Sequence, residues 1–396
     1  MLLPMLRIAD LQIRSPVIVA SGPLTSKIEL LRRAESAGAA AATLKLTFVE
    51  VPISGQMRSY SLPDSVILSP IDHRLNVDEG CQLARQAREQ TDLILFANLG
   101  ARGDQLDHWC TLAERFAEAG VHGLELNFCC PNLDVDALRA ARARGTHGGV
   151  QICEHPEQCR RITQAVKRTV DLPIICKYMP NASQSEQIAR ACAEGGADAV
   201  HIVGLPAAGL PPVRPESLQP DMPFVDNVAW GGTNGPLCRY ATFMFTAQAA
   251  RVIDIPIIAS GGISDWRDLL SAVAWGAHGV SICSAIMWHG WRMLTELHED
   301  LNDYLQQHGF EDWHRFRGHA LEHLTTPDKM VLTEGASYVR PDLCIGCGRC
   351  LLPGHCDAIE LDDQRHAVVD PDRCIGCGIC ARLCPTGAIE FKPKDT

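Results

Sequence analysis

The sequence predicts an α/β chain whose larger part is a (β/α)8 TIM barrel, and three observations predict it. Eight short apolar segments recur along residues 1–302, a helical stretch follows each of them, and four of those helices close on a glycine just before the next segment. The segments are Pro16–Ser21, Ala41–Phe48, Leu93–Leu99, Gly123–Phe128, Pro173–Met179, Ala199–Gly204, Pro256–Gly262 and Gly279–Ala285. The helical stretches cover 27–37, 78–90, 104–119, 155–169, 183–195, 236–253, 264–275 and about 289–306. The glycine echo reads Ala37-Gly38, Ala119-Gly120, Gly195-Gly196 and Trp275-Gly276. Glycine takes the left-handed backbone that ends a helix at little cost, so the echo concerns architecture and not chemistry. A doubly wound sheet is the competing α/β arrangement. The count of eight and the lack of a G-x-G-x-x-G opening favour the barrel. Residues 303–340 are mixed polar and aromatic and read as a connector packed on the barrel. Pro341 opens a last domain, 341–396.

That last domain holds eight cysteines in two near-copies of one spacing. The first run is Cys344-Ile-Gly-Cys347-Gly-Arg-Cys350 with Cys356 further on, and the second is Cys374-Ile-Gly-Cys377-Gly-Ile-Cys380-Ala-Arg-Leu-Cys384-Pro385. A C-x2-C-x2-C-x3-C-P run wraps a [4Fe–4S] cluster, and the fourth Cys of each run ligates the other cluster. The spacing therefore assigns Cys344, Cys347, Cys350 and Cys384 to one cluster, and Cys374, Cys377, Cys380 and Cys356 to a second. The fold expected is a two-cluster bacterial ferredoxin-like domain. The first run departs from the rule: two extra residues precede Cys356, and Asp357 stands where proline is usual. Zinc would need four ligands per ion, which paired C-x2-C-x2-C triplets do not suit.

Composition removes several classes. The chain has 396 residues, 46% of them hydrophobic, enough for a large core, and its formal net charge of −11 with no basic stripe argues against nucleic acid as a partner. Residues 1–10 lack a basic region followed by a long apolar run, and no stretch is apolar enough to span a membrane. Scattered thiols beside oxygen-sensitive clusters suit a reducing cytoplasm.

In a barrel of this kind the chemistry sits at the C-terminal ends of the strands. Those positions read Ser21-Gly22, Lys45, Asn98, then Asn127-Phe-Cys129-Cys130-Pro131-Asn132, Lys177, Gly204, Ser260-Gly261-Gly262 and Cys283-Ser284-Ala285. The last two loops of small residues open backbone N–H groups toward an anion, though tight turns alone would give the same letters. A lysine in a barrel mouth is costly unless something negative or electron-rich faces it. A lysine that snorkels to solvent is the alternative for Lys45 and Lys177.

Taken together these residues resemble a known family. Leu124-Glu-Leu-Asn127-Phe-Cys-Cys130-Pro131-Asn132 resembles the E-L-N-x-S-C-P-N segment of dihydroorotate and dihydropyrimidine dehydrogenases. Ser260-Gly-Gly-Ile263 and Cys283-Ser-Ala285 resemble their flavin phosphate loops, and Trp230-Gly-Gly-Thr-Asn-Gly235 resembles a loop over the same cofactor. With the paired clusters, the whole chain is similar to the FMN/iron–sulfur subunits of bacterial NAD-dependent dihydropyrimidine dehydrogenases. The resemblance implies an oxidoreductase acting on a CH–CH bond of a pyrimidine-like ring. It implies FMN held by Ala20, Ser21, Lys45, Asn98, Lys177, Gly232, Gly261, Gly262, Cys283 and Ser284. It further implies Cys130 as the general acid/base, and Asn76, Asn127 and Asn132 as amide ligands of the substrate. A thiol on a loop can move a proton to one face of a conjugated C=C while a flavin serves the other. Two departures stand out. The family places Asn at the end of strand six, where this chain has His201-Ile-Val-Gly204. The segment 133–149 is rich in Ala and Arg, with Arg139, Arg142 and Arg144 on what reads as a solvated helix face. A different cyclic or conjugated carbonyl substrate is therefore the alternative, as is an electron-transfer subunit of a larger complex.

No nucleotide-binding fingerprint for NAD or FAD is found in the chain. The expected partner is an electron-donor flavoprotein subunit using NAD(P)H and FAD, or a soluble ferredoxin, within an oligomer.

Overall fold

Successive residues of a strand point to opposite faces, and in this barrel the two sets found different cores. The computed structural model describes residues 4–130, 148–180, 184–204, 208–223, 226–310 and 313–393. Its barrel strands are Val17–Val19, Ala41–Thr43, Ile94–Leu99, Gly123–Asn127, Ile174–Tyr178, Ala199–Val203, Ile257–Ser260 and Gly279–Ile282. They pair in parallel in chain order, and the eighth pairs with the first, which closes the barrel. Outward residues such as Leu95, Leu124, Leu126, Ile174, Val200 and Val280 join Leu31, Trp109, Phe116, Ile162 and Leu269 of the surrounding helices in one buried cluster. Burying each such side chain contributes about 1.5–3 kcal/mol, so this shell carries most of the stability.

Inward residues near the strand starts form a second, smaller core: Ile18, Ala41, Phe96, Ile175, Ala199 and Ile258. The hairpin Leu6–Ile8/Leu11–Ile13 presses Leu6, Ile8 and Ile13 against them. Two residues further along, the inward positions turn polar: Thr43, Asn98, Glu125, Lys177, His201 and Ser281, all buried. The barrel thus has an apolar floor and a polar layer above it, below the C-terminal mouth.

The helices are Ile28–Ser36, Val77–Gln90, Leu106–Glu118, Pro156–Thr169, Ser185–Glu194, Arg239–Ala250 and Trp266–Ala274, then the short Ser284–His289 and Arg292–Gln307. The four echoed glycines, Gly38, Gly120, Gly196 and Gly276, all sit past helix ends at φ of 93°, 82°, 93° and 110°, where a Cβ would be strained. The expected second strand breaks after Thr43 and resumes at Thr47–Phe48, beside Leu75–Asn76. One element was not anticipated: Arg58–Leu62, Val66–Ile71 and Gly232–Asn234 form a three-stranded antiparallel sheet at the mouth. No helix among the described residues is long and apolar enough to cross a membrane.

The chain divides into two compact units, up to His323 and from Leu324. The segment 303–340 is shared between them. Trp313 is buried in the helix shell of the first unit, with Phe310 and Phe316 packed against it. In the second unit Gly335–Val339 pairs antiparallel with Ile389–Pro393. That unit also holds the hairpin Ile359–Leu361/Ala367–Val369 and the short helix Ile379–Leu383, around a small core of Val339, Ala367, Cys380 and Ile389.

Candidate active site and cysteine cages

At the C-terminal mouth of the barrel lies a cleft of about 1210 Å³, open to solvent. Nearly all of the positions singled out by strand ends reach it. Ala20, Ser21, Lys45, Asn127, Cys130, Lys177, Gly232, Gly261, Gly262, Cys283 and Ser284 line it, with Met57 just before the covering sheet and Ile67 and Ser69 from it. Asn132 and the arginines 139, 142 and 144 lie outside the described residues.

Beneath the cleft the polar layer is wired together. The Glu125 carboxylate accepts from Asn98 Nδ2, from His201 Nδ1 at 2.6 Å and meets Lys177 Nζ at 3.3 Å. Asn98 Oδ1 accepts from Asn127 Nδ2 at 2.9 Å, and Asn127 Oδ1 accepts the backbone N–H of Cys129 and of Cys130, each at 3.1 Å. Strand register makes this chain of contacts: Asn98 pairs with Glu125, Asn127 with Lys177, and Lys177 with His201. Burial opposes ionising Glu125, but Lys177 and His201 outweigh it and hold the carboxyl well below its ordinary value. Burial works against the Lys177 charge too, and Glu125 overcomes it, so the ammonium is raised above its usual range. For His201 burial wins over Glu125 and lowers the imidazole, which stays neutral with Nδ1–H donated to the carboxylate. Its Nε2 is buried with no partner among the described residues. Lys45 makes a close ion pair with Asp72; burial lowers its ammonium, against the pull of that carboxylate.

The two adjacent thiols differ. Cys129 is buried against Met179 and Val203, and burial pushes its thiol up to about 12. Cys130 is half-buried beside Leu46 and Phe48, with its Sγ 3.5 Å from Arg74 Nη2. Burial also raises Cys283, to about 11.

Two expected ligands are placed elsewhere. Asn76 does not face the cleft. It is the N-cap of helix Val77–Gln90, where its Oδ1 accepts from the backbone N–H of Asp78 and Glu79 and Glu79 answers with a bond to the Asn76 N–H. A capping box uses up the side chain. Asn98 is fully buried one layer down and holds Asn127 and Glu125 instead of lining the cleft. Conversely Asp72 and Arg74 do line it, and nothing in their loop sequence marked them. Glu125 and His201 share the inward parity of Asn127 and Val203, so alternation along their strands was the available signal. Gly204 ends the sixth strand against helix Arg239–Ala250, where any Cβ would collide with the Thr242 backbone.

The cleft fits a flavin mononucleotide. It offers two paired lysines, Ser281 Oγ without a partner among the described residues, and two loops of small residues, one with Gly261 and Gly262 at φ of 100° and 82°.

In the second unit the eight cysteines ring two spaces of nearly equal size. Cys344, Cys347, Cys350 and Cys384 line one of about 330 Å³, and Cys356, Cys374, Cys377 and Cys380 line one of about 320 Å³, with Cys350 on the wall of both. Among the described residues no three of these thiols converge on one metal ion. A [4Fe–4S] cubane takes one cysteine at each of its four irons, and each space has at least four on its wall. Backbone N–H groups point at the sulfurs: Ala367 to Cys344 at 3.4 Å, Ser337 to Cys374 at 3.4 Å and Ala388 to Cys384 at 3.2 Å. At Cys374 burial is outweighed by the N–H groups of Ser337 and Gly376, which lower the thiol. The longer first run leaves Cys356 in its place and brings His355 Nε2 within 3.2 Å of Cys377 Sγ.

Comparison with known families agrees with both units. The family model described as dihydroorotate dehydrogenase matches residues 6–305, three-quarters of the chain. The chain belongs to the dihydroorotate dehydrogenase family. A second model, a 4Fe-4S dicluster domain, matches residues 337–391. The chain is 27% identical over 317 residues to the catalytic subunit of dihydroorotate dehydrogenase B (NAD(+)) of Alkaliphilus oremlandii, covering 78% of this chain and 96% of that one. It is 28% identical over 321 residues to the NAD-dependent dihydropyrimidine dehydrogenase subunit PreA of Escherichia coli, covering 78% and 74%. As a member of the dihydroorotate dehydrogenase family, the chain is an oxidoreductase of the class that acts on CH–CH bonds.

Proposed function

We propose that this chain reduces, or in the reverse direction forms, a C=C bond of a pyrimidine-like ring, with FMN in the barrel and two [4Fe–4S] clusters in the tail. Bound there, the flavin would exchange a hydride with one carbon, and the clusters would pass single electrons. Lys45 and Lys177 would hold the flavin ring and ribityl chain, with Ala20, Ser21 and Gly232 beside them. Gly261, Gly262, Cys283 and Ser284 would hold its phosphate. Cys130 gives a proton to the neighbouring carbon, or removes it, from Sγ. Asn127 fixes the Cys130 backbone through its Oδ1 and is itself held by Asn98 Oδ1. Asn127 and Asn132 would read the ring's amide edge. Asn98 acts by orienting Asn127, and Asn76 by capping its helix. Cys344, Cys347, Cys350 and Cys384 would ligate one cluster, and Cys356, Cys374, Cys377 and Cys380 the other.

The observation that carries this reading is the convergence of the Cys130 thiol and both lysines on one cleft, ringed by the small-residue loops of strands seven and eight. The relatives named as NAD-dependent subunits support an electron-donor flavoprotein partner using NAD(P)H and FAD, a soluble ferredoxin being the other donor. The thiol-rich barrel supports a reducing cytoplasm. A different cyclic conjugated carbonyl substrate is the second reading. Gly204 and the capping role of Asn76 favour it, since both withdraw an expected amide from the ring.

Anaerobic protein replete in FMN and iron is photoreduced, then mixed with uracil, thymine or buffer. Reoxidation by the pyrimidines alone supports the first reading, and bleaching with no pyrimidine response supports the second. Cys130→Ala should keep both cofactors and lose roughly 10²–10⁴ in turnover. Unchanged turnover removes Cys130 from its role, and protein that binds no flavin sinks the proposal.

A further inference from the structure

The two cysteine cages are near-copies, and their side-chain donors are not shared equally. Ser337 stands seven positions before Cys344, and Ala367 seven positions before Cys374. Each gives its backbone N–H to the first cysteine of the other run, Ser337 to Cys374 and Ala367 to Cys344, both at 3.4 Å. There the likeness ends. Ser337 also brings its Oγ to 3.3 Å from Cys380 Sγ, with both residues buried. Ala367 lies on the wall of the cage that holds Cys350 and has no side-chain polar atom to offer it. The residue before the fourth cysteine differs as well. Leu383 precedes Cys384, whereas His355 precedes Cys356 and reaches Cys377 Sγ with Nε2 at 3.2 Å. A cysteine bound to iron is a thiolate with no proton to give, so in both contacts the hydroxyl and the imidazole N–H are the donors. Thr386 Oγ1 lies 3.5 Å from Cys384 Sγ, but its single proton goes to Leu343 O at 2.8 Å. The other cage has in exchange the backbone N–H of Ala388, 3.2 Å from Cys384 Sγ. Exposure does not separate the cages at their outer ligands, since Cys347 and Cys377 are both open to solvent. A reduced cluster carries one more negative charge, shared with its sulfurs, so a donor aimed at a ligand sulfur stabilises the reduced form more than the oxidised one.

We propose that Ser337 and His355 make the cluster held by Cys356, Cys374, Cys377 and Cys380 the more easily reduced of the two, so that the first electron to enter the tail rests there. This rests on the cages holding the two clusters. The step takes one electron from the donor and makes or breaks no bond. Ser337 is 6% exposed and its bond is little screened, so it carries the larger share. His355 is exposed and adds less.

The test is an anaerobic redox titration of the iron-replete full chain, with the cluster signals followed by electron paramagnetic resonance and iron measured on each sample. The wild type should show two midpoints. Ser337→Ala should lower the upper one by roughly a tenfold change in its reduction equilibrium, about 59 mV for one electron, and leave the lower one in place. His355→Leu, which copies Leu383, should lower the upper midpoint by less, and His355→Gln should keep it because an N–H donor remains. Ala367→Ser supplies the missing hydroxyl beside Cys350 and should raise the lower midpoint, a gain that loosened packing does not imitate. Coincident midpoints in the wild type overturn the proposal, and so does a Ser337→Ala protein with both midpoints unmoved or only the lower one shifted. If Ser337→Ala holds fewer than about eight irons, Ala367→Ser decides: a raised lower midpoint upholds the proposal and an unmoved one overturns it. Wild-type protein with no cluster signal removes the cluster reading itself, and the proposal with it.

Discussion

Replacing Glu125 by glutamine keeps the shape of the polar layer and removes its charge. The carboxylate is 1% exposed and serves three donors: Asn98 Nδ2, His201 Nδ1 and Lys177 Nζ. A glutamine offers one carbonyl oxygen, and its NH2 must then face one of those donors. Two routes give the cost. Breaking a buried pair and stranding its partner costs about 3–5 kcal/mol. A carboxyl held at about 2 instead of 4.5 corresponds to roughly 3 kcal/mol of stability. The two agree, and about 3 kcal/mol should move a urea midpoint down by roughly 1–2 M. The sign with pH follows from the depressed folded value. The Glu125 contribution is complete above about 4.5 and is lost as pH falls toward about 2. The difference between wild type and Glu125→Gln should therefore shrink across that window. The assay is urea unfolding at pH 7, followed by tryptophan fluorescence and by FMN release. A second change, Lys177→Met, removes the stranded cation, so the double variant should be more stable than Glu125→Gln alone. A Glu125→Gln protein within about 0.5 kcal/mol of wild type, with no coupling to Lys177→Met, would refute the picture of a charged layer.

Other consequences are quickly checked. Asn76→Ala should cost about 1 kcal/mol in thermal or urea stability through loss of the cap, while KM stays unchanged; a raised KM with unchanged stability would return Asn76 to the substrate. Gly204→Asn, which puts an amide at the end of the sixth strand, should destabilise the barrel by about 3 kcal/mol because its Cβ meets the Thr242 backbone; a soluble variant of normal melting temperature would contradict that packing. Cys356→Ser should lower bound iron from about eight to about four atoms per chain, read by iron analysis and by loss of one of two electron paramagnetic resonance signals after reduction. Full iron retention would mean that Cys356 is no ligand.

Much of the barrel could be read in advance because its signals are local. Gly38, Gly120, Gly196 and Gly276 announce helix ends that only glycine favours, and apolar runs such as Ile174–Tyr178 are what a strand buried on both faces needs. Of each cysteine cage three members were local, since C-x2-C-x2-C spacing holds them within a few residues, while the fourth comes from the other run. The covering sheet was not, because Arg58–Leu62 is half-exposed and polar, and its pairing with a strand that in turn meets Gly232–Asn234 spans more than 160 positions of sequence. Asn76 shows why a motif position does not fix a role: its Asn-x-x-Glu79 context fits a capping box as well as a substrate ligand. Arg74 and Asp72 escaped because loop geometry, and not periodicity, turns them into the cleft. Glu125 and His201 lay 76 positions apart, and the parallel pairing of their two strands with the fifth strand between them brings them to 2.6 Å.

The apolar floor has a kinetic consequence. Leu6, Ile8 and Ile13 seal the barrel base with Phe96 and Ile258, all of them without solvent exposure. Hydrogens of the Glu125–His201–Lys177 layer thus have no wet path downward, and their traffic with bulk solvent runs upward past Cys130. A ligand seated in the mouth corks that route. Exchange of the layer's hydrogens with bulk deuterium should therefore slow while the ligand sits there and resume when it departs.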